Sequence, residues 1–215
     1  MSVGGGLAYG ALGASHHATE DIAVMRALPG MTIVAPGDPI EADLATKALV
    51  AQAGPAYLRL GRSGEPAVHS DDVKFQIGKA IRVTDGDDVT LIATGTMLHA
   101  TMQAASQLVR DGIAARVLSM HTIKPLDVDA VFEAARETRA IITIEEHSII
   151  GGLGSAVAEV LAESADYHVR FKRMGLPSAF TAVGSREFLT RSYSLCVEGI
   201  VESAMQILEL ASSRA

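Results

Sequence analysis

A dense polar segment near the start of the chain has the residue types of acid–base chemistry. It runs from Ser15 through His16 and His17 to Asp21, and it follows a stretch rich in glycine and alanine. An imidazole can carry a proton near neutral pH or donate a hydrogen bond to an anion. Because the positive end of a helix disfavours imidazolium, we expect neutral histidines there. The segment predicts either a substrate-facing site or a capped helix with two surface histidines, and the sequence leaves both open.

A metal site built on His16, His17 and Glu20 is the weaker interpretation of this segment. Adjacent histidines point in different directions, and a metal site needs three or four convergent ligands. No third ligand cluster stands out in the sequence. We therefore predict that this chain holds no metal ion.

A glycine-rich turn, Gly151-Gly152-Leu153-Gly154, lies between a predicted strand and a predicted helix. Backbone amides at such a turn can bind phosphate. The turn lacks the lysine of a P-loop, and its glycine spacing does not fit the dinucleotide fingerprint. Glu145 and Glu146 precede it and would repel phosphate; as neighbours in a strand they face opposite sides. We predict close helix–strand packing for the turn and hydrogen-bonded structural roles for both glutamates.

Two arginines, Arg59 and Arg62, stand at the end of a predicted strand, where parallel sheets form their ligand crevice. A guanidinium there could hold a phosphate or carboxylate through two hydrogen bonds. The alternative is a surface salt bridge with Glu41 or Glu65. Cys196 has an apolar context without a neighbouring cation, so we expect it to be unreactive.

The elements that must position these residues alternate between strand and helix. The patterns predict strands at 32–35, 56–60, 89–94, 115–120, 140–145 and 169–174, and helices at 19–28, 39–52, 96–110, 127–138, 155–162, 185–190 and 197–210. Such alternation predicts an α/β fold with a largely parallel sheet covered on both faces. The polar stretch 62–75 is predicted to link two units, residues 1–65 and residues 75–215.

Composition narrows the possible partners and compartment. The net charge is −7 and no lysine/arginine cluster is present, which argues against a nucleic-acid partner. A single cysteine rules out a disulfide within the chain and fits a reducing compartment. No signal segment is visible, and the apolar runs are too short to span a bilayer. We therefore expect a cytoplasmic protein without a membrane partner.

Several of these segments resemble the transketolase family. The resemblance to its pyrimidine-binding domain rests on Ser15-His16-His17 through Asp21-Ile22-Ala23, Arg26, Leu28-Pro29, Ala35-Pro36-Gly37-Asp38 and the stretch from Gly54 to Arg62. The resemblance to its C-terminal domain rests on Asp88 to Gly95, Thr122 to Asp127 and Thr143 to Ala156. The chain is most similar to the small C-terminal subunit of transketolases split into two chains. Deoxyxylulose-phosphate synthases and 2-oxoacid dehydrogenase β subunits are more distant relatives.

This resemblance implies a fold and roles for individual residues. The fold would be the end of a thiamine-diphosphate pyrimidine-binding domain followed by a Rossmann-like C-terminal domain. His16 matches a catalytic histidine of the substrate channel, implicated in proton transfer. Arg62 matches an arginine that holds the substrate phosphate. His17 is expected to bind substrate as well, but to point elsewhere than His16 and to matter less. Leu12 stands where sugar-specific transketolases have an acidic residue, so the substrate is expected to differ from a typical ketose phosphate. No cofactor-binding residue is assigned.

The resemblance also implies parts that lie outside this sequence. Family members begin the pyrimidine-binding domain upstream of Met1, and that part carries the glutamate that contacts the cofactor. The diphosphate-binding domain and its magnesium site are absent as well. We expect an assembled enzyme that uses thiamine diphosphate and Mg²⁺ to transfer a two-carbon ketol unit, as a homodimer or a heterotetramer with an N-terminal subunit that supplies the missing domain. The isolated chain is expected to bind no cofactor and to be inactive.

A hypothesis of another class stays open beside this one. The chain would then be a non-catalytic assembly subunit, or a truncated fragment of a transketolase, a deoxyxylulose-phosphate synthase or a 2-oxoacid dehydrogenase β-type protein. The missing glutamate favours that hypothesis for the isolated chain, whereas His16 and Arg62 favour a partner that completes an enzyme.

Overall fold

Two β-sheets organise the chain in the computed structural model, which describes residues 1–212. The first sheet has the spatial order β1 (Ser2–Val3), β3 (Ala56–Leu60), β2 (Thr32–Val34) and β7 (Thr122–Lys124). The second has the order β4 (Ile81–Thr84), β6 (Ala115–Ser119), β5 (Val89–Ala93), β8 (Ala140–Ser148) and β9 (Arg170–Leu176). The α-helices are α1 (Asp21–Ala27), α2 (Pro39–Ala51), α3 (Leu98–Arg110), α4 (Val128–Glu137), α5 (Leu153–Ala162), α6 (Arg186–Ser192) and α7 (Val197–Ser212).

Most neighbouring strands run parallel. The exceptions among the described strands are the pairs β2–β7 and β4–β6, which are antiparallel. The predicted α/β fold with a largely parallel sheet is therefore confirmed. Strands β1, β4 and β7 were not predicted, because runs of two to four residues carry little periodic signal of their own.

The second sheet separates two apolar layers, as its sequence pattern requires. Leu91 and Ile142 face the layer formed by α3 and α7, whereas Ile92 and Ile141 face the layer formed by α4 and α5. All four side chains are fully buried. Successive residues of a strand point to opposite faces, so continuous apolar runs fit a sheet covered on both sides.

Strand β7, which comes from the later part of the chain, completes the first sheet. In the antiparallel pairing of β7 with β2, Ile33 lies opposite Lys124 and Val34 opposite Thr122. The Lys124 ammonium donates to the carbonyl oxygens of Arg26 and Leu28, at 2.8 and 2.7 Å. These carbonyls belong to the end of α1, where a cation complements the helix dipole. The two halves of the chain therefore share a sheet.

Asp38 caps α2, and its side chain also anchors the polar stretch between the units. Asp38 Oδ1 accepts from the Glu41 amide at 2.7 Å, with Pro39 at the first helical position. Its second oxygen, Oδ2, accepts from the amides of Val68 and His69, at 2.8 and 2.9 Å. The stretch 62–75 is thus fastened to α2 by a buried carboxylate.

The glycine-rich turn is closed by a side chain of the protein itself. Glu145 Oε2 accepts from the Leu153 amide at 2.7 Å, and Oε1 accepts from the Gly154 amide at 2.8 Å. Helix α5 begins at Leu153 rather than at the predicted Ser155, so these amides are its first unpaired donors. An internal carboxylate fills the place where phosphate could bind, which supports the structural role predicted for the turn.

Burial of Glu145 sets up a pH dependence. Its side chain is fully buried, and burial raises its pKa to about 7 although the two amide donors favour the carboxylate. A carboxyl whose pKa is raised on folding contributes stability that is fully present below its unfolded pKa and is lost as the pH rises through the folded value. That window runs from about pH 4.5 to 7.

We predict that Glu145→Gln removes this part of the pH dependence. The melting temperature of the wild type should fall relative to that of Glu145→Gln as the pH rises from about 5 to 8. The comparison cancels the other titrating groups, which both proteins share. Thermal melts of both proteins at four pH values check this, and parallel curves would contradict it.

A second prediction concerns Gly152, whose position has no room for a side chain. An added Cβ would overlap Glu145 Oε2 and lie 2.7 Å from His147 Nδ1. Gly152→Ala should therefore lower the free energy of unfolding by about 3 kcal/mol, the upper end of typical overpacking.

The matched control is Gly112→Ala. Gly112 lies just beyond the end of α3, with φ +80°, and a Cβ there would meet nothing within 4 Å. This change should lower the free energy of unfolding by roughly 1–2 kcal/mol, because alanine is strained in the left-handed conformation that Gly112 adopts. Denaturant titrations of both variants compare the two costs, and equal losses would refute the steric explanation.

Candidate functional site

The histidine loop, residues 6–18, carries the polar segment singled out in the sequence. Backbone hydrogen bonds close its base: the Gly6 amide donates to the Ala18 carbonyl at 2.9 Å, and the Ala18 amide donates to the Gly6 carbonyl at 3.0 Å. Two 3₁₀ turns, Gly10–Leu12 and Ala14–His16, form the rest. Gly6 has φ +66°, a conformation that favours glycine. The loop is therefore a closed structure rather than a flexible tail.

His16 lies exposed on the second 3₁₀ turn. Its Nδ1 is 3.1 Å from the Ser15 hydroxyl. A ring in this position contributes little to packing, and it can exchange protons with a bound molecule. The helix predicted to open at Thr19 begins at Asp21, so His16 precedes it on a separate turn.

His17 has protein partners at both ring nitrogens. Nε2 lies 3.1 Å from the Gly10 carbonyl oxygen, so Nε2 carries the hydrogen; Nδ1 then accepts from the Thr181 hydroxyl at 2.5 Å. The Gly184 amide donates to the same Gly10 carbonyl at 3.2 Å. These contacts fasten the histidine loop to the second unit. Substrate binding by His17 stays a prediction, and it would compete with these bonds.

Arg62 lines two adjoining clefts of about 560 and 440 Å³. Its guanidinium carbon lies 5.9 Å from the centroid of the Tyr9 ring, within the range of a cation–π contact. Because Tyr9 belongs to the histidine loop, the structure brings Arg62 next to the loop that carries His16. His99 and Arg186, from the second unit, line the larger cleft as well.

Arg186 and Glu146 form an ion pair beside this cleft that the sequence did not indicate. Arg186 donates to Glu146 Oε2 through Nε and Nη2, at 2.9 and 2.6 Å, and to Glu65 Oε1 through Nη1, at 3.1 Å. Burial raises the pKa of Glu65, while the Arg186 charge opposes that shift. The second unit thus contributes a charged group to the wall of the cleft.

Arg59 is buried below the histidine loop. Its Nε donates to Asp21 Oδ2 at 2.8 Å, and Nη2 donates to the carbonyls of Ala18 and Glu146, at 2.8 and 3.1 Å. Burial acts to raise the pKa of Asp21, but the Arg59 charge and the hydrogen bonds from Arg59 and Tyr57 outweigh it and leave the pKa below its usual value.

The alternative of a surface salt bridge for Arg59 is therefore wrong. Strand β3 lies inside its sheet, between β1 and β2, so the Arg59 side chain is 5% exposed. The expected partners bind elsewhere: Glu41 contacts His69 at 2.7 Å and Ser119 at 2.5 Å, and Glu65 contacts Arg186. Arg59 is bound too firmly within the protein to hold a ligand.

His147 joins the two units next to this pair. Its Nδ1 donates to the Ser148 carbonyl at 2.7 Å, and its Nε2 accepts from the Ala23 amide at 3.4 Å. Burial lowers the pKa of His147, and the Arg59 charge lowers it further. The ring is thus a neutral hydrogen-bonding bridge from β8 to α1.

Neither a metal-ligand cluster nor an open glycine-rich turn is found among the described residues. Between residues 1 and 212, no group of three or more histidine, cysteine or acidic side chains is placed to hold a metal ion. The glycine-rich turn, the sequence's candidate for a phosphate, is filled by Glu145. In the same described part of the chain, no helix is both long and apolar enough to cross a membrane.

Comparisons with known proteins identify the chain's relatives. Residues 1–66 match the transketolase pyrimidine-binding domain, and residues 78–200 match the transketolase C-terminal domain. The chain is 44% identical over 210 residues to an apulose-4-phosphate transketolase subunit of Phocaeicola vulgatus, covering 97% of this chain and 66% of that protein. It is 39% identical over 202 residues to a 6-deoxy-6-sulfo-D-fructose transketolase subunit of a Clostridium species, covering 94% of this chain and 62% of that protein.

A solved structure agrees with these matches. A split-gene transketolase, described as an inactive β4 tetramer, superposes with a TM-score of 0.86 at 40% identity, over 97% of this chain and 65% of that chain. The present sequence thus spans about two thirds of the length of these three relatives. Sequence, fold and domain order agree, and the chain belongs to the transketolase family.

Proposed function

We propose that this chain is the C-terminal component of a thiamine-diphosphate-dependent enzyme that transfers a two-carbon ketol unit. A partner subunit would supply the cofactor's diphosphate and Mg²⁺ site. The proposal rests on one observation above all. The histidine loop exposes His16, and Tyr9 of the same loop contacts Arg62 at the cleft. One loop therefore carries the proposed proton-transfer group and contacts the proposed anion-binding cation, although His16 itself is not among the residues that line the two clefts.

The relatives support a partner and an oligomer. Two of them are transketolase subunits by name, and the solved relative is an inactive tetramer of β chains. We infer that this chain also needs a second kind of subunit, in a homodimer or a heterotetramer, and that it works in the cytoplasm. A purely structural role accounts less well for an exposed histidine and an arginine at a cleft.

In the assembled enzyme, thiamine diphosphate would supply the electron sink for breaking and forming the carbon–carbon bond. This chain's contribution is narrower. His16 would hold or return a proton at a substrate hydroxyl or carbonyl oxygen, and Arg62 would bind an anionic group of the substrate. The exposed side chain of Leu12 cannot accept a hydrogen bond from a sugar hydroxyl, so the substrate would differ from a typical ketose phosphate at that contact.

We predict that the isolated chain does not bind thiamine diphosphate with micromolar affinity. The physical reason is that its described residues offer no metal cluster, and its glycine-rich turn is already filled. Calorimetry with cofactor and Mg²⁺ is the measurement, and a mixture with the diphosphate-binding subunit is the positive control. Micromolar binding by the chain alone would sink the idea.

We predict that His16→Ala lowers kcat of the reconstituted enzyme about 10²–10⁴-fold, the usual range for general acid–base help. The melting temperature should change little, because the ring is exposed.

We predict that Arg62→Ala instead raises KM, more for phosphorylated than for unphosphorylated substrates, since its contact would exist in both ground and transition states. Steady-state kinetics on matched substrates check both changes. Equal kcat for wild type and His16→Ala would refute the catalytic role.

A further inference from the structure

Glu146, at the carboxyl end of β8, is a buried carboxylate that contacts the histidine loop directly. Its side chain is 2% exposed. Oε1 accepts from the Leu7 amide at 2.6 Å, while Oε2 accepts from Thr96 Oγ1 at 3.1 Å and from Arg186 at 2.6 and 2.9 Å. Both oxygens are therefore occupied by donors of the protein, and one of these donors is the backbone of the loop.

The loop approaches Glu146 so closely that only glycine fits at the point of contact. A Cβ on Gly6 would lie 2.6 Å from Glu146 Oε1 and 2.7 Å from its carbonyl oxygen. The same carbonyl accepts from Arg59, which also bonds the Ala18 carbonyl at the other end of the loop. The base of the histidine loop is thus held between Arg59 of the first unit and Glu146 of the second.

The charges explain why this contact is firm. A buried carboxylate persists only when it is paired, and Arg186 supplies that pair through two nitrogens. With its charge compensated, Glu146 can offer its other oxygen to the Leu7 amide. Removing the carboxylate would leave the Leu7 amide without its acceptor and Arg186 without its main partner.

From these contacts we infer that Glu146 is a positioning residue for the reaction, acting through Leu7 on the loop that presents His16. This inference rests on the proposed function. The occupied oxygens argue against a role for Glu146 as an acid or base, because neither is available to a substrate. The C-terminal unit would then contribute to catalysis by fixing the geometry of a residue in the other unit.

The test compares Glu146→Ala and Glu146→Gln with one control variant, which weakens a different ion pair away from the histidine loop. Gln keeps one acceptor oxygen, so it should retain part of the contact. The control is Glu137→Gln, which weakens the 2.7 Å ion pair of Glu137 with Arg116 between α4 and β6. Hydrogen exchange of the full chain reports the amides of residues 7–17, and kinetics of the reconstituted enzyme report kcat, KM and the pH profile.

We expect loop amides in Glu146→Ala to exchange at least about tenfold faster, with smaller changes in Glu146→Gln and none in the control. In the reconstituted enzyme, kcat of Glu146→Ala should fall roughly 10–100-fold with KM within about threefold, because small misplacements of a catalytic group are costly. Both limbs of the pH–rate profile should persist in Glu146→Ala, because Glu146 is not the group that titrates. If Ala prevents folding, the Gln variant carries the comparison.

Several results would overturn the inference. If the amides of residues 7–17 exchange at the wild-type rate in a folded Glu146 variant, the contact with Leu7 does not hold the loop in place. If one limb of the pH–rate profile is lost, Glu146 acts as an acid or base instead. If kcat falls no further in the Glu146 variants than in Glu137→Gln, Glu146 has only a structural role. If the wild-type assembly shows no ketol transfer, the proposed function fails, whereas the exchange data still report on the loop.

Discussion

The buried guanidinium of Arg59 is the constraint around which the two units are arranged. A cation removed from water must find acceptors, and Arg59 finds them in the Asp21 carboxylate and in the carbonyls of Ala18 and Glu146. These three groups come from α1, the end of the histidine loop and β8. Satisfying one side chain therefore fixes the loop between the first sheet and the second.

This arrangement explains how a loop rich in glycine can be ordered. Glycine allows the tight turns and close approaches, but it supplies no side chain to hold them. The contacts come from outside the loop instead, from Arg59 below, from Glu146 beside it, and from Thr181 through His17. The chemistry proposed for His16 would therefore depend on residues far along the chain, most of them in the C-terminal unit.

Much of the fold could be predicted from the sequence, but the junction between the units could not. The largely apolar run 140–144 and the Asp38-Pro39 pair, a capping residue followed by a proline, indicate their structures locally. Strand β7 has no such signal, since three residues form a strand only where β2 offers an edge. The partner of Arg59 could not be predicted either, because Asp21 lies far from it in the sequence and is brought to it only by folding. Glu145 left a partial signal: a carboxylate just before a glycine-rich turn argues against phosphate.

The pairing of β7 with β2 also bears on the order in which the protein can form during synthesis. The first sheet pairs Ile33 with Lys124, so it lacks a strand until the ribosome has released most of the second unit's first half. Contacts between distant parts of a chain are slow to form, and unpaired strand edges expose a nascent chain to wrong pairing. The early segment would therefore remain unfinished on the ribosome, and its edge at β2 is the surface that a chaperone would have to protect.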